Sequence, residues 1–397
     1  MKILFVCHRF PFPPKRGGKI RPFNIISHLT RQGHEVTVAS LARSDEEAEE
    51  GAGLSEHCAE FMVETVGSVG AWARMLLRLP TPGPSSMGYF YSGALRQRID
   101  ACVSNTDFDL IFVHCSSVAQ YVAHITNVPK IIDFGDMDSQ KWLAYSSFKP
   151  FPLSMGYWLE GRKMERAERA LAAKFDLCTA TTRAELETLQ TMCAAEKTGW
   201  FPNGVDRDYF APDDTEYNTD SICFVGRMDY YPNQQAMFDF CANVWPILRA
   251  RRPATTLTIV GAEPTKAVQD LAQLDGVSVT GSVPDVRPYL RASALTVAPL
   301  AIARGTQNKI LESLALGVPV ICSTIAAGGV DVEVDAQLLV ADTKEQWADQ
   351  ICRVLDDPAL RTSLSTAGRE RMATHHDWPT SMTRVDTLLE RALELAR

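Results

Sequence analysis

Two successive series of short, uninterrupted apolar runs do most to limit what this chain can fold into. The first series is "KILFVCH" (2–8), "EVTVAS" (35–40), "LIFVHC" (110–115), "KIIDF" (130–134) and "LCTATT" (177–182). The second is "SICFVG" (221–226), "TLTIVG" (256–261), "VSVTG" (277–281), "LTVAPL" (295–300) and "PVICST" (319–324). Helical stretches separate the runs. Strands that are apolar on both faces must be covered on both faces, and helical crossovers make neighbouring strands parallel. Between the two series, "FPNGVDRDYFAPDDTEYNTD" (201–220) is rich in Pro, Asn, Asp and Gly and has no periodicity. The pattern predicts an α/β chain of two doubly wound, Rossmann-like domains, 1–204 and 205–375, with a linker near 205–219. A length of 397 residues fits two such domains. A last amphipathic helix is expected within 376–397, with Met382, Val385, Leu388, Leu389, Ala392 and Leu395 as its stripe. Two uses stand for it: crossing back to the first domain, or dimerisation.

Two stretches interrupt the alternation. "SMGYWLEGRKMERAERALAAKF" (154–175) predicts a long solvated helix laced by i,i+4 ion pairs. "GAWARMLLRLP" (70–80) is expected as a helix packed on its own domain rather than one lying in a membrane interface.

The formal charge of −8 argues against a nucleic-acid partner, because phosphate contacts need a basic surface. One local exception, "RFPFPPKRGGKIR" (9–21), is expected to meet an anionic ligand or a membrane surface. The ten cysteines are scattered, with no Cys-x-x-Cys, as in the reduced core thiols of a cytoplasmic protein. No apolar run approaches the ~20 residues that span a bilayer. "MKILFVC" is one strand long and leads into a basic loop, unlike a signal peptide.

Ligands of open parallel sheets bind at the carboxyl ends of strands. In the second half, "LTVAPL" ends there, the loop "AIARG" follows, and a helix is expected to start near Thr306 and stop at Gly317 and Pro319. Ile310, Leu311, Leu314 and Ala315 form its apolar stripe, while Asn308, Lys309 and Glu312 share another face. A helix start offers unpaired N–H groups and a positive dipole end to an anion. Gly305 permits close approach of a ligand, Lys309 adds a cation, and Glu312 can accept two hydroxyl hydrogen bonds, as from a ribose diol. A nucleoside diphosphate fits this group; so does a bare surface Lys–Glu pair. Gly226-Arg227 ends the first strand of the same series, where the Arg227 guanidinium can meet a diphosphate bidentately. Two cations converging on one region favour the nucleotide.

The combination resembles a known family. "FPNGVDRDYF", "FVGRMDYYPN", "LTIVGA" and "GTQNKILESLALGVPV" are similar, in order and spacing, to motifs of the retaining glycosyltransferases of family 4. "HRFPFPPKRGGKIRPFNIISHLTRQGHEVTV" resembles the family's acceptor-side opening, with Gly17 and Gly18 in its loop. More narrowly, "IDFGDMDSQKW", "GRMDYYPN" and "IARGTQNKILES" resemble sugar transferases of exosortase (PEP-CTERM) exopolysaccharide systems. The resemblance implies a GT-B fold: two Rossmann-like domains facing across a cleft. It implies metal-independent transfer with retention, no cofactor, and a UDP- or GDP-linked sugar as donor substrate. By position, Arg227 and Lys309 would neutralise the departing diphosphate and Glu312 would bind ribose, as the second Glu of the family's E-x7-E motif. Gly281 to Val283 would approach the base, and Gly226, Gly305, Thr306 and Asn308 would line the donor. The family's first Glu falls at Arg304, and its usual Lys five residues after the Arg is replaced by Pro232. Lys309 is therefore expected to carry the missing cation's work, and Arg304 to change contacts to the sugar.

Other candidates are weaker. His114 ends "LIFVHC" where relatives often contact the donor sugar; a satisfied buried histidine is the other reading. "DMD" (136–138) resembles the metal motif of a single-domain transferase fold, but two strand series argue against that fold. Asp136 is kept as an acceptor-side candidate or an Asx-rich loop. His375 and His376 are expected on a helix surface. Neither first strand is followed by Gly-x-Gly-x-x-Gly, and no Walker loop or Gly-x-Ser-x-Gly occurs. The expected function is a cytoplasmic glycosyltransferase acting on a glycan or lipid-linked acceptor, with peripheral contact at the inner membrane face. A nucleotide-sugar epimerase or a catalytically idle binding protein of the same fold are the alternatives.

Overall fold

A computed structural model describes residues 1–14 and 17–397. Lys15 and Arg16 of the basic 9–21 stretch lie outside the described residues. The chain divides into two compact units, Met1–Phe201 with Met382–Arg397, and Pro202–Ser381.

In the first unit, the strands among the described residues are β1 (Lys2–Cys7), β2 (Glu35–Ala42), β3 (Glu60–Thr65), β4 (Leu110–His114), β5 (Lys130–Gly135), β6 (Leu177–Ala180) and β7 (Thr198–Trp200). They form one parallel sheet in the order β3-β2-β1-β4-β5-β6-β7. β1, "KILFVC", is buried from Ile3 onward, as expected for a strand covered on both faces. Its register pairs Phe5 with Phe112 of β4, and the two rings stack at 5.1 Å. The helices that matter below are α1 (Gly17–Arg31), α2 (Ser68–Arg78), α3 (Asp138–Phe148) and α4 (Leu153–Ala172).

The second unit repeats the plan with β8 (Asn218–Val225), β9 (Thr256–Val260), β10 (Val277–Val279), β11 (Ser293–Ala298), β12 (Val320–Cys322) and β13 (Leu339–Val340). Their order, β10-β9-β8-β11-β12-β13, is again wholly parallel. It is the doubly wound 3-2-1-4-5-6 order, whose direction reverses between β8 and β11. In the first unit the reversal falls between β1 and β4. Each reversal leaves a crevice at the strand carboxyl ends. The relevant helices here are α5 (Tyr231–Asp239), α6 (Asn308–Ala315) and α7 (Pro358–His375).

The last helix, α8 (Trp378–Leu395), begins in the second unit and is completed in the first. There Leu388 packs so closely on β7 that a Cβ at Gly199 would lie 2.4 Å from it. Arg391 donates to the Thr198 carbonyl at 3.0 Å, the Arg384 guanidinium stacks 4.6 Å from the Trp200 ring, and Asp386 pairs with His28 of α1 at 2.7 Å. All ten cysteines are free thiols. Among the described residues, no helix is long and apolar enough to cross a membrane.

Several expectations are corrected. The segment 205–217 belongs to the second unit rather than forming a separate linker. Val205 N–H donates to the His376 carbonyl at 2.7 Å, and the Trp378 ring leaves no room for a Cβ at Gly204. His376 is not a surface residue; it is 1% exposed. Lys19 and Arg21 do not form an open basic surface. Both are buried, Lys19 against Glu47 at 2.7 Å and Arg21 against Asp133 at 2.8 Å. α2 does pack on its own domain, its backbone at Arg74 against Gly88 and Trp72 edge-on to Tyr89, but it leaves apolar side chains uncovered: Ala71 alone is buried, while Trp72, Leu76 and Leu77 are exposed. The carboxyl-terminal half of α4 carries one expected i,i+4 ion pair, Glu165–Arg169, and one i,i+3 pair, Arg162–Glu165.

Candidate nucleotide-sugar site

The switch point of the second unit gathers the loop after β8 and the loop leading into α6. The second loop turns at Gly305, whose φ of +62° suits glycine. α6 starts at Asn308, two residues later than expected, with Gln307 in the cap position. Gln307 makes no side-chain cap; its amide donates instead to the Arg304 carbonyl at 3.2 Å. The Thr306 hydroxyl oxygen is buried and has no partner among the described residues. Ile310, Leu311, Leu314 and Ala315 are buried, which fixes the angle at which the polar face is presented.

Lys309 is the centre of the group. Its ammonium donates to Asn233 Oδ1 at 2.7 Å and lies 4.5 Å from the centre of the Phe224 ring. Asn233, on α5, donates in turn from Nδ2 to the Arg227 carbonyl at 2.8 Å. Gly226 sits directly against this pair: a Cβ there would lie 2.7 Å from Asn233 Nδ2 and 2.9 Å from Lys309 Nζ. Lys309 and Glu312 keep some accessible area yet are densely surrounded by protein. Burial pushes the Lys309 ammonium down to about 7, against the pull of Glu312. Burial likewise pushes Glu312 up to about 7, against the pull of Lys309. A neutral pH thus leaves both groups poised, and an incoming anion would draw the proton onto Lys309. The Glu312 carboxyl accepts no hydrogen bond from the described residues, so its acceptor capacity is unused.

Arg227 is placed differently from the expectation. Its guanidinium is engaged by Asp229, Nε at 3.0 Å and Nη2 at 2.8 Å, and by Glu263 at 2.6 Å from the loop after β9. Hydrogen bonding to Arg227 outweighs desolvation and lowers the Asp229 pKa. The two carboxylates hold the arginine at the edge of the crevice, and a diphosphate must compete with them. Gly281 (φ +72°) follows β10 with open space beside it, and Val283 packs over the minor core formed by Cys223, Val260 and Leu290.

A second layer supports α6. Asn203 Nδ2 donates to Asn308 Oδ1 at 3.4 Å. The Asn203 carbonyl accepts from His376 Nδ1 at 2.9 Å, while His376 Nε2 accepts from the Asp331 N–H at 3.1 Å. Those partners fix the tautomer, and burial drives the His376 pKa down to about 4. Asn233, Asp229, Glu263 and His376 were all missed by sequence reasoning. For Asn233 a signal existed, in its place one residue after the substituted Pro232.

The first unit's switch point carries the other candidates. His114 is buried at the end of β4, and its Nδ1 donates to Asp133 Oδ2 at 2.8 Å. Arg21 binds both Asp133 oxygens, at 2.8 and 2.9 Å, and Thr179 donates to Oδ1 at 2.9 Å. Burial alone would raise the Asp133 pKa; Arg21 and His114 outweigh it and hold the carboxyl far below its usual range. Both readings of His114 are thus compatible with its geometry, since Nε2 is not used by Asp133. Gly17 and Gly18 open α1, and Gly18 packs against the Arg9 side chain, 3.1 Å from a Cβ position. Asp136 is exposed, on a turn whose Met137 and Ser139 N–H groups are held by Glu185 and Glu168 at 3.1 and 3.0 Å.

Known proteins supply a context for this geometry. Residues 16–209 match the family model described as Glycosyltransferase Family 4, and residues 219–357 match Glycosyl transferases group 1. Sucrose-phosphate synthase from Thermosynechococcus elongatus superposes with a TM-score of 0.72 at 16% identity, covering 99% of this chain and 100% of that one. Anabaena HepE in complex with UDP gives 0.69 at 15%, covering 98% and 100%. A glycosyltransferase from Rickettsia africae gives 0.69 at 13%, covering 100% and 98%. The two Rossmann-like units have the GT-B fold. The chain is a glycosyltransferase family 4-like protein.

Proposed function

We propose that this protein is a retaining hexosyltransferase that moves a sugar from a nucleoside-diphosphate sugar to a glycan or lipid-linked acceptor. The carrying observation is Lys309, which is partly desolvated at the switch point, held by Asn233 and set against Gly226. As the sugar C1–O bond breaks, the diphosphate gains negative charge. A cation fixed beforehand in a water-poor site stabilises that charge without reorganisation, and losing one such donor typically costs ~3 kcal/mol. Glu312, with its unused acceptors, takes the ribose hydroxyls, and the start of α6 faces the phosphates. Arg227 joins when a phosphate replaces Asp229 or Glu263 on its guanidinium. Gly281 and Val283 bring backbone groups to the base.

HepE has been crystallised with UDP and with UDP-glucose, which favours a uridine donor here. The chemistry needs no metal and no cofactor, because the protein's own cations receive the leaving-group charge. Work in exopolysaccharide synthesis, on the cytoplasmic side of a membrane, suits the resemblance to the PEP-CTERM-associated enzymes. A binding protein without turnover is the second reading, and the engagement of Arg227 by two carboxylates favours it.

The test is thermal unfolding with UDP, GDP, ADP and CMP, followed by donor turnover. A ligand at a hundred times its dissociation constant stabilises by about 2.7 kcal/mol. A selective shift with one diphosphate, plus release of that nucleotide from its sugar donor, supports the transferase. A shift without turnover supports the binding protein. No shift with any nucleotide refutes the site.

A further inference from the structure

The first unit displays more apolar surface than a water-facing domain needs. On α2, Leu76 and Leu77 are exposed, Leu77 to 75%, and Trp72, edge-on to Tyr89, leaves about half its surface uncovered. The turn between α3 and α4 adds Phe151 at 77%, and α4 continues the surface with Met155 and Trp158. These belong to two elements far apart in sequence, yet the elements are stitched together. Lys163 of α4 donates from Nζ to the Leu79 carbonyl, just beyond α2, at 2.7 Å. The Glu160 carboxylate accepts from the N–H groups of Ser85 and Ser86 at 3.0 and 2.8 Å. The end of α2 and the amino-terminal half of α4 therefore present their apolar residues from one region.

Charge decides what covers it. The chain is acidic as a whole, but this region is not. α2 carries Arg74 and Arg78 and no acidic residue. Around the α4 residues stand Lys149, Arg162 and Arg166. Of the nearby acids, Glu160 is spent on backbone N–H groups, Glu165 is paired with Arg162 and Arg169, and Glu168 is buried. Apolar side chains inside a basic rim match the interface of a bilayer with anionic headgroups, where aromatics sit at the headgroup level and long basic chains reach outward. A second copy fits worse, because a symmetric pair would bring the same basic rim against itself.

We infer that this face, formed by α2 and the α3–α4 hairpin, docks the protein on an anionic lipid surface. The inference takes up the membrane-side location proposed above and names the residues that make it, but it does not depend on sugar transfer. The experiment is co-sedimentation of the full chain with vesicles of phosphatidylcholine alone or with added phosphatidylglycerol. Binding is expected only with phosphatidylglycerol and is expected to weaken with salt. The double variant L77S/F151S should bind at least about tenfold less while its thermal unfolding is unchanged, since both side chains are about three-quarters exposed. R162Q/R166Q should lose the preference for phosphatidylglycerol. No binding by the wild type, or binding that ignores both variants, overturns the inference. A concentration-dependent dimer abolished by L77S/F151S also overturns it and gives the face to a second copy. A nucleotide-site variant that still binds vesicles would show that the two readings fail separately.

Discussion

Replacing Lys309 with methionine should weaken the enzyme and strengthen the fold at the same time. Lysine ordinarily titrates near 10.5, and burial brings Lys309 to about 7. A group whose folded pKa lies below its unfolded value makes folding release protons. The resulting penalty is near its full size at pH 7 and disappears above about 10.5. A shift of this size corresponds to about 4 kcal/mol at pH 7. Three terms reduce what Lys309→Met recovers. The side chain is partly accessible, so solvent screens part of the penalty. Asn233 Oδ1 loses its donor, on the order of 1 kcal/mol. Glu312 loses its counter-charge, of similar size. A net stabilisation of roughly 1–2 kcal/mol remains, from methionine that fills the same volume beside Phe224. Chemical denaturation at pH 7 and at pH 10 measures it, and the gain should shrink at the higher pH. In the same protein the diphosphate-induced shift should fall, and turnover should slow as expected for a barrier raised by ~3 kcal/mol. A destabilised variant that binds the nucleotide normally would refute the reasoning, because it would make Lys309 a structural cation.

Four further outcomes are expected. Arg21→Met should destabilise the first unit by about 3–5 kcal/mol in thermal unfolding, since it leaves Asp133 charged and buried. Glu168 is pushed up to about 8 by burial, so its contribution is present below about pH 4.5 and lost as pH rises through 8. Glu168→Gln should flatten that slope and raise stability at pH 8, seen in melts across pH. His376 runs the other way: with its pKa near 4, stability falls as pH drops from about 6.5 toward 4, by up to about 3 kcal/mol. His376→Gln should remove that acid-side slope. Gly226→Ala must push aside Asn233 and Lys309, so the nucleotide-induced shift should be lost even where the variant remains folded.

Much of the fold was legible because parallel strands covered on both faces write themselves as unbroken apolar runs. The three strands that escaped notice, β3, β7 and β13, lack that signature, and β7, "TGW", is only three residues long. β3, "EFMVET", is an edge strand with mixed burial, and β13 is two residues long. At the candidate site, Lys309 and Glu312 were readable from helical spacing, and Gly226 from its place after a strand. What could not be read was which side chain each of them meets. Asn233 reaches the site from helix α5 and Glu263 from the loop after β9, and only the sheet order brings those elements together. The same limit explains the errors. His376 looked like half of an exposed pair because its partners, Asn203 and Asp331, are distant in sequence. α2 was expected to be packed because apolar residues at helical spacing normally find a core, and nothing in the segment itself says that its neighbours leave them uncovered.

The division of α8 between the units has a consequence for how the chain is made. The second unit, Pro202–Ser381, is uninterrupted in sequence and can close as soon as it has been synthesised. The first unit cannot: β7 is translated early, but Leu388, Arg384 and Arg391, which cover it, arrive only after the whole second unit. Until then Gly199 and the outer strand β7 lack the cover of Leu388 and Arg384, leaving an edge of a parallel sheet that invites wrong pairing. The domain begun first is thus finished last, and chaperone dependence should concentrate in the interval between the two.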